Sequence, residues 1–134
     1  MPISGRQITI DQALAICHKA GFRKANLITA VAIMCAESGR FIEAYNINVQ
    51  KDGDTSLDRG LFQINTLHTK LGIRESFEAW PNVRFAFKLS GGNNFTPWAT
   101  FNHGRHLKFR DEVEAVFEEG SWRVLLPIIR DELA

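Results

Sequence analysis

Cysteine is scarce in this 134-residue chain: there are two, Cys17 and Cys35. Two are too few for a disulfide-stapled secreted scaffold, and neither belongs to a Cys-x-x-Cys pair of the kind that binds zinc or does redox chemistry. Both read as small buried hydrophobes, with one disulfide between neighbouring helices left open. Long apolar runs are missing too. No stretch of about 18 apolar residues occurs, which predicts no membrane-spanning helix, and the opening Met-Pro-Ile-Ser-Gly predicts no secretory signal. Nor is there an excess of one charge. Sixteen Lys and Arg stand against fifteen Asp and Glu, a formal charge of +1, so no overall field draws in a nucleic acid or an anionic membrane. No internal repeat or low-complexity linker divides the chain.

What is present suffices for one folded domain over residues 1–134. Hydrophobic residues make up 45% of the chain and charged ones 23%, enough apolar surface to offset the ordering entropy. A monomer is expected. Thr9 followed three residues later by Gln12 is a capping-box pattern, and the apolar positions after it predict a helix over 10–20 ending at Gly21. Residues 24–38 are apolar nearly all round, the mark of a central buried helix, stopped by Gly39. The helical period then vanishes between Tyr45 and Asn65, where Lys51-Asp52-Gly53-Asp54 supplies a turn between short alternating segments, predicting a small β-hairpin. Further helices are predicted over 81–90, from 97 to 102, over 110–119 and over 121–133, the last interrupted by Pro127. The fold class is mainly α (α+β). Aromatics at helical spacing, Phe85, Phe87, Phe117 and Trp122, are assigned to the core.

Glu37 is the residue that least suits its surroundings. Three, four and seven positions before it stand Met34, Ile33 and Ala30, so its carboxyl shares a helix face with apolar side chains. It also lies in the last helical turn, where the negative end of the helix dipole opposes a carboxylate. Desolvation and dipole both favour the protonated form, which a general acid working near neutral pH needs. Asp58, among Asp54, Ser56 and Arg59, has the opposite, polar setting.

The ordered set Glu37-Ser38, Phe41, Ala44-Tyr45-Asn46-Ile47-Asn48, Asp52-Gly53 and Asp58-x-Gly60-x-x-Gln63-Ile64-Asn65 resembles the active-site half of the lysozyme superfamily. In c-type lysozymes a catalytic Glu-Ser is followed by Ala-x-Asn-x-Asn and by Asp-x-Gly-x-x-Gln-Ile-Asn. The string from Ser56 to Asn65 is similar to one in phage and bacterial domains of the lysozyme and lytic transglycosylase group. Trp98-Ala99-Thr100-Phe101-Asn102-His103-Gly104 resembles the Ala-Tyr-Asn-Ala-Gly motif of soluble lytic transglycosylases, with Phe101 where Tyr is usual.

The resemblance implies a lysozyme-like fold and cleavage of the β-1,4 bond between N-acetylmuramic acid and N-acetylglucosamine in peptidoglycan. Glu37 would protonate the glycosidic oxygen and Asp58 support the sugar cation, the division of labour known for lysozyme. Goose-type chemistry would make Asp54 the second carboxylate. A lytic transglycosylase would use Glu37 alone and leave a 1,6-anhydro product. Tyr45, Asn48, Ser56, Gln63, Asn65 and Asn102 are candidates for hydrogen bonding to the sugars, Trp98 and Phe101 for flanking their rings. No cofactor is required. The setting implied is a bacteriophage lysin, held in the host cytoplasm until holin-mediated release or carried on the virion.

Two other classes compete. Asp52-x-Asp54-x-Ser56-x-Asp58 opens like an EF-hand loop, but its sixth position is Leu57 where Gly is needed and its twelfth is Gln63 where a bidentate Glu is needed, so no metal is expected. His103 and His106 lack further ligands in register. A glycan-binding or virion-structural module with catalysis lost would have no use for an acid in an apolar setting. The apolar stripe within 109–134 packs on the domain or binds a partner such as a holin or tail protein.

Overall fold

A computed structural model describes residues 5–134; residues 1–4, which the single-domain expectation includes, lie outside the described residues. Helix α1 (Ile10–Ala20) begins where the capping box places it. The Thr9 hydroxyl accepts the Gln12 N–H at 3.0 Å, and the Gln12 side-chain oxygen accepts the Thr9 N–H at 2.9 Å. Helix α2 (Lys24–Ser38) is buried along nearly its whole length, from Leu27 and Ile28 through Ala30 to Cys35. It ends at Gly39 in the left-handed conformation that glycine adopts without steric cost. Cys17 and Cys35 are both buried and both free thiols.

A three-stranded antiparallel sheet follows: β1 (Tyr45–Val49), β2 (Thr55–Arg59) and β3 (Ile64–Asn65), in that order. The hairpin turn is closed by Gln50 N–H to Asp54 O at 2.7 Å, with the Asp54 N–H also bonded to the Asp52 carboxylate at 3.0 Å. The register pairs Asn48 with Ser56 and Asp58 with Asn65.

The remaining elements are α3 (Ile73–Ser76), α4 (Ala79–Ser90), α5 (Ala99–Asn102), α6 (Leu107–Glu119), a 3-10 helix over Ser121–Leu125 and α7 (Ile129–Glu132). Helix α4 starts two residues before Pro81. Proline fits there because the first-turn N–H groups have no intrahelical acceptor to lose. Helix α6 starts at Leu107, earlier than its apolar stripe suggests, and without a side-chain cap. The expected helix over 121–133 divides around Pro127 into the 3-10 segment and α7. Trp122, Ile129 and Leu133 are buried against the core, so the C-terminal stripe packs on the domain. Phe85, Phe87 and Phe117 lie half-buried against that core.

One buried side chain fastens the sheet to the helices. Asn82 of α4 accepts the Phe62 N–H at 2.9 Å and donates to Arg59 O at 3.0 Å and Ser76 O at 2.8 Å. Gly60 makes this approach possible. Its φ is +75°, and a Cβ there would stand 2.1 Å from Ser76 O and 2.4 Å from the Asn82 amide nitrogen.

Candidate active site

The last turn of α2 carries Glu37 to the edge of the core, and the sheet brings Asp58 toward it. Both line a cleft of about 270 Å³, together with Gln63, Asn65, Trp98, Thr100 and Arg105. The Glu37 carboxyl is pushed up to about 7. Its burial is the largest cause; a hydrogen bond from Thr100 works against it, the nearby Asp58 charge adds to it and Arg105 opposes it.

Strand alternation puts Ser56 and Asp58 on one face of β2, and the register sets Asn48 and Asn65 beside them. Asp58 is held by two amides: Asn65 Nδ2 donates to one oxygen at 2.8 Å and Asn48 Nδ2 to the other at 3.0 Å. Asn65 Nδ2 also lies 3.2 Å from Ser56 Oγ, tying the buried Ser56 to the same network. Gln63, at φ +50°, donates from its amide to Ala44 O at 3.0 Å and Gly60 O at 3.1 Å while lining the cleft. Trp98 forms part of the wall, its indole N–H bonded to Phe62 O at 2.9 Å and its ring packed on Phe62 and Phe95.

Thus Glu37, Asp58, Gln63, Asn65 and Trp98 are brought together, with Asn48 and Ser56 supporting Asp58 and Asn65. Four other expected residues do not line the cleft. Tyr45 sits on β1 opposite Arg59. Asp54 is exposed in the hairpin turn. The Phe101 ring packs on Phe95 and, at 5.1 Å between centroids, on His106. Asn102 is exposed and donates to Thr96 O at 2.9 Å. Sequence reasoning missed Thr100 and Arg105. Thr100 lay inside the Trp98–Gly104 string and Arg105 directly after it, but a hydroxyl on one short helix and a cation beyond it carry no spacing that ties them to Glu37.

Elsewhere, a larger groove of about 560 Å³ runs between the start of α4 and the C-terminal segment, where Arg130 lies over the Trp80 ring. It contains none of the expected site residues. Among the described residues no group of three or more His, Cys, Asp or Glu is arranged to hold a metal ion, and no helix is long and apolar enough to cross a membrane. The cleft therefore offers two carboxyl groups in unlike settings, one half-buried at the end of α2 and one held by amides.

The family described as "Lysozyme like domain" matches residues 13–100, a span that includes Glu37, the whole sheet and Thr100. No curated protein and no solved structure matches the chain.

Proposed function

The chain belongs to the lysozyme-like domain family, and on that premise we propose that it is a muramidase, cleaving the β-1,4 bond between N-acetylmuramic acid and N-acetylglucosamine. Membership itself points to peptidoglycan as substrate and to lytic cleavage as the reaction. Glu37 is the general acid: it passes its proton to the glycosidic oxygen as the bond to the sugar carbon breaks. Asp58 lends negative charge to the sugar cation that forms, and water completes hydrolysis. Gln63 offers its side-chain oxygen to the sugar, Asn65 holds Asp58 in place, and Trp98 walls the subsite. The observation that carries this reading is the Glu37 carboxyl, raised to about 7 in a cleft shared with a second carboxylate, so that a large fraction keeps its proton at neutral pH. As setting we infer a bacteriophage lysin, released through a holin or carried on the particle, from the likeness of Ser56–Asn65 to phage domains.

One observation favours a second reading. Both oxygens of Asp58 are engaged by Asn48 and Asn65, an arrangement that also suits a carboxylate bracing the sheet. In that case Glu37 alone acts as acid and then base, the muramic acid 6-hydroxyl attacks, and the product is a 1,6-anhydro sugar. Digestion of purified peptidoglycan by wild type, Glu37→Gln and Asp58→Asn, with mass spectrometry of the fragments, separates the two. Reducing-end products lost in both variants establish the muramidase. Anhydro products with Asp58→Asn still active establish the transglycosylase. No release by wild type leaves a binding or structural module.

A further inference from the structure

Beside the acid-bearing turn of α2, where α6 begins, a second cavity of about 270 Å³ opens, lined by Ala36, Gly104, Arg105, Lys108 and Phe109. Arg105 lines both this cavity and the cleft of Glu37 and Asp58, and Ala36 directly precedes Glu37. The two spaces therefore share that arginine as a wall. Their chemistry is opposite. The cleft holds two carboxyl groups, whereas none of the five residues around the second cavity is acidic.

Ala36 and Phe109 give this cavity apolar walls, and the exposed Arg105 and Lys108 give it a cationic rim. The Lys108 ammonium stands 5.2 Å from the centre of the Phe109 ring. Asp111 and Glu112 follow Lys108 by three and four residues on α6 but do not line the cavity. Arg110 is engaged elsewhere, donating to the Thr29 hydroxyl at 3.0 Å.

We propose that this cavity is a subsite for the short anionic peptide carried on the lactyl group of muramic acid. The proposal rests on peptidoglycan being the substrate. A short alanine-containing stem of net negative charge has the complementary surface: its carboxylates face Arg105 and Lys108, and its methyl groups lie on Ala36 and Phe109. A strand seated in the cleft carries such a substituent on its muramic acid, and the neighbouring cavity, walled by the same Arg105, is placed to receive it. The chain thereby prefers peptide-bearing strands to stripped ones. Contacts with the peptide that are held equally in the ground state and the transition state act on KM and leave kcat alone.

Lys108 tests this, since it lines only the second cavity. Initial rates are measured on soluble peptide-bearing glycan strands and on the same strands after an amidase has removed the peptides. Wild type is expected to show a lower KM for the peptide-bearing strands, with the gap narrowing as salt is added. For an exposed cation, Lys108→Gln raises that KM about threefold and Lys108→Glu about tenfold. Neither changes kcat or the KM for stripped strands, and Lys108→Arg behaves as wild type. A ratio of the two KM values that is the same in all four proteins overturns the subsite while leaving the muramidase intact. Failure of wild type to cleave either strand overturns the muramidase and the subsite with it.

Discussion

The hydroxyl of Thr100 on α5 stands close enough to the carboxyl of Glu37 on α2 to favour its charged form. Thr100 is buried, and its carbonyl accepts the N–H of Arg105 at 2.9 Å. One residue thus touches the acid through its side chain and holds the backbone that carries the facing cation.

Removing that hydroxyl with Thr100→Val, nearly unchanged in shape, takes away a group that favours the charged carboxyl. The Glu37 carboxyl then rises further, and the alkaline limb of the pH–rate profile moves up by about half a unit to one unit. Thr100→Ser keeps the wild-type limb. A profile unmoved in Thr100→Val would show that the hydroxyl does not act on the acid.

With the acid at about 7 in the fold, activity should decline as pH rises through that value, since only the protonated carboxyl can donate. Rates of wall-suspension clearing between pH 5 and 9 check this. A flat profile across that range would exclude Glu37 as the donor.

The same group links stability to pH. Its folded value lies above the ordinary 4.5, so between 4.5 and about 7 the folded chain holds a proton that the unfolded chain has released. Stability from this source is complete below 4.5 and is lost as pH rises through about 7. Glu37→Gln abolishes that dependence. Relative to wild type, it gains on the order of 1–2 kcal/mol at pH 8 over its difference at pH 4, allowing for the residual water access of a half-buried group. Urea titrations at the two pH values measure it.

Trp98→Phe keeps an aromatic wall on the cleft but leaves the Phe62 carbonyl without its 2.9 Å donor. The expected cost is about 1–3 kcal/mol of folding stability. Thermal unfolding reads it directly, and an unchanged melting temperature would mean that water replaces the indole.

Local signals carried the helical half of this fold. Thr9 and Gln12 announce α1 through groups only three residues apart, and the continuous apolar run of α2 has no other way to be buried. The 50–54 turn and the alternation around it were enough for the hairpin. Helix α3, at four residues, is too short to show a period, and β3 has two residues and exists through its pairing with β2. The same division runs through the site. Glu37 stood out because its neighbours on the helix are apolar, and Asp58, Gln63 and Asn65 were reached through the family resemblance. Asn82, Thr100 and Arg105 act across elements far apart in the chain, and no local pattern marks them. Phe101 and Asn102 do not line the cleft, because a motif fixes residue order but not which face of a short helix turns toward it.

Gly60 and Asn82 form a lock whose two parts cannot drift separately. Any side chain at 60 would strike Ser76 O and the Asn82 amide, and any residue at 82 lacking both a donor and an acceptor would strand backbone groups of Arg59, Phe62 and Ser76. The exposed Lys108 of α6 carries no such tie and can be exchanged by itself. The joint beside Asp58 therefore admits change at either position only together with change at the other.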